Sequence, residues 1–175
     1  MRFTVDKEKA VEALVYIASK MPGVTRFHAS KILYFAERFH IRDFGRPIVG
    51  DYYIAMEHGP VPSFVYNVLT EKLLPEDAEM AKGALIYIDA FRHPEYKAAR
   101  SARLDCFSRS DLDCLDRAIA HCRERSFGSI SDETHEHSAW RDTNLNAPID
   151  WELMLEGADP QIVEDARLFS SYGVL

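Results

Sequence analysis

Between residues 29 and 39, apolar side chains recur at helical spacing: Ile32, Phe35, Ala36 and Phe39, with Ala29 and Leu33 alongside. The spacing predicts a helix packed on most of its girth, with Lys31, Glu37 and Arg38 on the remaining side. Thr25 is placed to cap its start, and Gly45-Arg46-Pro47 to stop it. After the turn pair Gly50-Asp51, Tyr52, Ile54 and Met56 alternate with Tyr53, Ala55 and Glu57, the period of a strand of about six residues. His58-Gly59-Pro60-Val61-Pro62 closes that strand. The next helix starts near Val61 or Pro62, because a proline's missing N–H costs little at a helix start, and it runs to about Leu73.

The flanking pattern is mostly helical. Asp6 caps a helix from Lys7 to about Lys20, packed through Ala10, Val11, Leu14, Val15, Ile17 and Ala18 and ended by Met21-Pro22-Gly23. Leu74 to Gly83 is polar, holds Pro75 and reads as a connection. Ala84 to Phe91 is rich in β-branched and aromatic residues and predicts a strand. Tyr96 to Arg103 fits a returning strand or a helix about equally. Ser110, with Asp113 three residues on, has the form of a capping box and opens a helix lined inside by Leu112, Leu115, Ala118, Ile119 and Cys122. Ser126-Phe127-Gly128 ends it. Ser129 to Asp132 caps a shorter helix carrying Thr134 to Trp140. Ile149 to Leu155 reads as helical, and Asp159-Pro160 starts a last helix to about Ser170. The expected fold is mainly α (α+β): a single compact helical domain over residues 1–175 with a small central β element.

Composition narrows the class. With 47% hydrophobic and 28% charged residues, the chain has the make-up of a globular domain rather than a disordered one. Its net charge of −7 repels phosphate backbones, so nucleic acid is not an expected partner. A local basic run (Arg92, Lys97, Arg100, Arg103 and Arg109) is diluted by Glu95 and Asp105 and reads as a solvated face. No apolar run approaches the ~20 residues a bilayer span needs. Met1-Arg2-Phe3-Thr4 leads straight into a charged helix without an export signal, and the cysteine count is odd. Reduced thiols and a cytoplasmic location are expected.

The chemistry-bearing residues form no recognisable reaction set. His135 and His137, two apart, would point to opposite sides of a helix, and His135-Glu136-His137 lacks the i, i+4 spacing of a zinc motif. Cys114 and His121 share a helical face without a Cys-x-x-Cys partner. No metal and no cofactor is expected. The turns could gather His40, His58 and Asp51 for acid–base work, or these groups could simply bond the irregular backbone around them. There is no nucleophile elbow, and Gly59-Pro60 is not a phosphate loop. A catalytic role is therefore not expected. Trp140 and Arg141 belong to the residue types that anchor interfaces. With Asp51, Tyr53 and His58 they form the candidate partner-binding set. Tyr52, Tyr53 and Tyr66 fit either the core or the contact surface.

An ordered series of motifs resembles the Panacea family, the SocA-type antitoxin domain. It runs Lys31-Ile32-Leu33-Tyr34-Phe35-Ala36, His40, Gly45-Arg46-Pro47-Ile48, Gly50-Asp51, Tyr53, Gly59-Pro60-Val61 and Val65-Tyr66, followed by Thr134-His135-Glu136 and Trp140, within roughly residues 7–153. The resemblance implies an antitoxin of a bacterial or phage-associated toxin–antitoxin system that neutralises a cognate toxin by direct protein contact. Some family members hand the toxin to a Clp-type protease. Others carry an added DNA-binding helix-turn-helix, for which there is no room before Lys7, so operator binding is not expected here. Two other readings stay open: a phage or mobile-element protein that binds another host protein, and a hydrolase using His40, His58 and His135.

Overall fold

The computed structural model describes residues 1–90 and 93–172. Its centre is the helix expected from the apolar pattern. Helix α1 (Lys7–Lys20) starts at Asp6, whose carboxylate accepts the Lys9 N–H. A two-residue strand β1 (Val24–Thr25) leads into α2 (Arg26–Phe44), capped by Thr25 and closed by Gly45 at φ 70°, a conformation that favours glycine. Ile32, Leu33, Phe35 and Ala36 of α2 are fully buried. Each large apolar side chain so buried contributes about 1.5–3 kcal/mol.

A tight hairpin follows. Strand β2 (Tyr53–Met56) pairs antiparallel with β3 (Gly59–Pro62), in the register Tyr53↔Pro62 to Met56↔Gly59 around the loop Glu57-His58. The segment expected only to close a strand is thus a strand itself. Its two prolines disguise it, since they cannot donate to a ladder, but β3 needs donors on one side only. The other edge of β2 is bonded by the later segment 146–149, through Asn146 N–H to Ala55 O and Ile149 N–H to Tyr53 O.

Helix α3 (Ser63–Leu69) is shorter than expected. The expected connection at 74–83 contains a helix, α4 (Pro75–Ala81), with Pro75 in its first turn and Glu76 and Asp77 at its positive end. Lys7 holds Asp77 at 2.8 Å, tying α4 to α1. Strands β4 (Leu85–Ile88) and β5 (Glu95–Ala98) make a second antiparallel sheet in the order β1-β5-β4, which settles the open reading at Tyr96 in favour of a strand. Phe91, the expected end of the first of these strands, and Arg92 of the basic run lie outside the described residues. Arg100 and Arg103 of that run are exposed, as a solvated face requires, and are also anchored from beneath. They pair with Glu12 of α1, which is 2% exposed.

Helix α5 (Arg109–Cys122) packs along α2. Its capping box is Ser108 with Asp111, two residues ahead of the expected Ser110 and Asp113. Both pairs have the same spacing, and tertiary contacts choose between them, because Ser110 Oγ faces His40. Helix α6 (Phe127–Glu136) begins earlier than expected under a Ser126 cap. The chain is extended at His137, so Trp140 lies on a separate short helix, α7 (Ser138–Arg141). Residues 151–155 form a 3₁₀ helix, and α8 (Pro160–Tyr172) completes the chain. The fold is mainly α with small β elements, and no helix among the described residues is long and apolar enough to cross a membrane.

Candidate functional site

The three charged residues in the middle of α2 are not on a solvent face. Lys31, Glu37 and Arg38 are 1%, 0% and 7% exposed: the hairpin closes over Lys31, residues 48–50 over Glu37, and Arg38 lies beside Glu156. Glu37 accepts the N–H groups of Ile48 (2.6 Å), Val49 (3.0 Å) and Gly50 (3.0 Å). These donors have no ladder of their own and would otherwise be orphaned. Burial lifts the Glu37 carboxyl to about 7 against the pull of the three N–H bonds. Asp51 does the same for α3: it takes the N–H groups of Tyr52, Phe64 and Val65, and burial raises it to about 6.

The Gly45-Arg46-Pro47 turn is locked by Asp111 of α5. Its carboxylate lies 3.0 Å from Arg46, 2.9 Å from Lys9 and 3.1 Å from His40 Nε2, while His40 Nδ1 donates to the Arg46 carbonyl at 2.8 Å. Burial pushes the Asp111 carboxyl up, but bonds from His40, Lys9 and the Ser108 N–H outweigh it and hold the group well below the usual carboxylate range.

These anchors present the hairpin. Lys31 Nζ donates to the Pro60 carbonyl at 2.8 Å. Gly59, at φ +95°, lies so close to α6 that a Cβ there would fall 2.7 Å from Lys31 Nζ and under 3.0 Å from Thr134 Oγ1. Trp140 Nε1 donates to the Met56 carbonyl at 2.7 Å, and the Trp140 ring stacks on His135 with centroids 3.7 Å apart. Tyr53 packs edge-on against Tyr34 and Trp151 inside the core, and Tyr34 OH meets His137 Nδ1 at 3.0 Å.

The expected partner-binding set therefore divides. Asp51 and Tyr53 are buried and offer a partner no surface: one caps a helix and the other fills the core. Trp140 is half-buried and pins the hairpin tip. His58 and Arg141 are exposed, His58 edge-on to Phe127 and Arg141 bonded to Asp142 and the Glu136 carbonyl. The turns do not gather His40, His58 and Asp51. Each has its own partners, and among the described residues no hydrogen bond joins them. His135 is taken up by Trp140. Among the described residues no group of three or more His, Cys, Asp or Glu side chains is placed to hold a metal ion.

On the outer face of the hairpin, sequence reasoning left Tyr52 open between core and contact surface and missed its neighbours. Tyr52 (53% exposed) and Met56 (37%) alternate with the buried Tyr53 and Ala55, and Leu145 (58%) and Phe127 (45%) flank them. The alternation was readable, but which of its two phases faces solvent depends on where α2 lies. Beside the tip runs a groove of about 530 Å³ between the start of α2, the hairpin and Phe127.

A search of curated proteins and one of solved structures return no significant match. The family model "Antitoxin SocA-like, Panacea domain" matches residues 30–141, well over half the chain. That span carries most of α2, the hairpin and the break between α6 and α7, and the chain belongs to the SocA-like antitoxin family with a Panacea domain.

Proposed function

We propose that this chain is an antitoxin that neutralises a cognate toxin protein by direct contact in the cytoplasm, without chemistry of its own. The contact surface is the outer face of the β2–β3 hairpin with its flanks at Phe127 and Leu145. The observation that carries this reading is a row of exposed large apolar side chains on an element pinned from behind by Lys31, Thr134 and Trp140. Apolar and aromatic groups on a preorganised support are what an interface core needs, because little side-chain or loop freedom is lost on binding. Three free thiols, at Cys106, Cys114 and Cys122, suit a reducing compartment.

Co-expression with the product of the adjacent gene tests the proposal. Growth arrest by that product alone, relieved by this chain together with co-purification, supports it. Relief without a complex refutes direct contact. The same cells distinguish masking from delivery to a Clp-type protease: masking leaves the toxin's half-life unchanged, and delivery shortens it only where the protease is present.

A further inference from the structure

The groove beside the hairpin tip has a chemical character that the outer face lacks. Its walls are apolar, from Phe27, Met56, Val61 and Phe127, with the Phe27 and Phe127 rings 4.1 Å apart at the mouth of α6. Its titratable lining is mostly basic: Arg26, Lys31, His28, His58 and His93 stand against one acid among the described residues, Glu57. With the histidines counted as neutral, Arg26 and Lys31 against Glu57 leave this groove without the negative charge that the chain carries as a whole.

The floor holds polar capacity that the fold does not use. Lys31 is 1% exposed, and among the described residues its ammonium makes one hydrogen bond, to Pro60 O, leaving two of its three N–H groups without an acceptor. Ser30, the residue before it on α2, also lines the groove, and its Oγ is buried without a partner. Unpaired buried polar groups carry a desolvation penalty that a ligand removes when it supplies the missing partner.

We propose that this groove is a carboxylate subsite: it takes an Asp or Glu side chain of the partner protein, accepting from Lys31 Nζ and Ser30 Oγ, with a neighbouring apolar side chain of the partner laid against Phe27 and Phe127. The volume, about 530 Å³, suits two or three side chains rather than a whole helix. Burial lowers the Lys31 amine to about 7, so the arriving carboxylate also restores the environment in which the ammonium form is favoured. This subsite presupposes a protein partner of the kind proposed above, but the probe titration below needs no partner, so either proposal can fail alone.

The probe is 3-phenylpropionate, a carboxylate on an aromatic body, titrated into the full chain and followed by two-dimensional NMR beside its neutral amide. The acid should bind roughly fivefold or more tighter than the amide, as charge-assisted bonds are about twice as strong as neutral ones. The shifted resonances should centre on Phe27, Ser30, Lys31 and Phe127. Lys31→Met should bring the acid's affinity down to that of the amide. Because that change also removes the bond to Pro60, Ser30→Ala serves as the second variant, since its hydroxyl supports nothing else in the fold. It should weaken the acid, leave the amide unchanged and leave the melting temperature the same or slightly higher, since the hydroxyl it removes is buried and unpaired. Equal binding of acid and amide, shifts elsewhere or no binding would overturn the subsite. Tighter binding of phenyl phosphate would also overturn it, in favour of a phosphorylated ligand. A toxin that binds Ser30→Ala and Lys31→Met undiminished would overturn the subsite while leaving the antitoxin reading intact.

Discussion

Replacing Gly59 by alanine should loosen the hairpin from α2 and α6, and the size of the effect follows from two separable costs. A non-glycine residue at φ +95° costs about 1–2 kcal/mol in backbone strain. The added methyl group would stand 2.7 Å from Lys31 Nζ and closer still to Thr134 Oγ1, and such overpacking adds about 1–3 kcal/mol. The expected loss is about 2–5 kcal/mol, or a fall in melting temperature of about 4–20 °C for a chain of this size. Gly83→Ala is the matched control. Its φ is also positive, at +68°, but nothing lies within 4 Å of the added Cβ, so only the strain should appear, about 1–2 kcal/mol. Thermal and urea unfolding followed by circular dichroism measure both. In a double-mutant cycle, Thr134→Ala should offset part of the Gly59→Ala loss, because it removes the nearer obstacle. Equal losses for Gly59→Ala and Gly83→Ala would refute the claim that the hairpin is seated on α6 by close approach.

Other parts of the scaffold are open to similar measurement. Asp111→Asn leaves Lys9, Arg46 and His40 facing a neutral amide in a buried site and should cost about 3–5 kcal/mol in urea unfolding; a loss under about 1 kcal/mol would contradict the locking role. Burial raises the Glu12 carboxyl, but bonds from Arg100 and Arg103 more than reverse this and bring it from 4.5 to about 2. Because the folded value is the lower one, the stabilisation is present above pH 4.5 and is lost as pH falls toward 2, so the stability curves of the wild type and Glu12→Gln should converge over that window. Trp140→Phe keeps a ring on His135 but loses the bond to the Met56 carbonyl, and should cost about 0.5–1.5 kcal/mol with faster amide exchange at Met56 and His58.

The main helices were legible because their signals are local. Asp6 and Thr25 cap as read, Gly45 ends α2, and the apolar spacing of α1 and α2 matches their burial. What the sequence hid was decided by contacts far along the chain. Lys31, Glu37 and Arg38 look solvent-facing until the hairpin closes over the first, residues 48–50 over the second and Glu156 meets the third. Ser108 and Ser110 offer the same capping pattern, and only His40 and Arg46 on another element select one. The prolines of β3 made a strand resemble a turn, and Pro75 made a helix start resemble a linker. Asp51 and Tyr53 are similar cases: residue type suggests contact, whereas the structure buries both, one as a helix cap and the other in the core.

The central claim, that the outer face of the hairpin is what holds a toxin, is tested most directly by comparing toxin affinity between the wild type and the double variant Met56→Asp, Phe127→Asp. Both positions are exposed, at 37% and 45%, and an acid at Phe127 suits the first turn of α6, so the fold should hold with a loss of about 0.5–1.5 kcal/mol from the broken Phe27–Phe127 ring pair. Burying two carboxylates in an apolar contact should weaken binding by roughly a hundredfold or more and abolish growth rescue. Unchanged affinity in this variant would place the toxin elsewhere on the molecule and contradict the account.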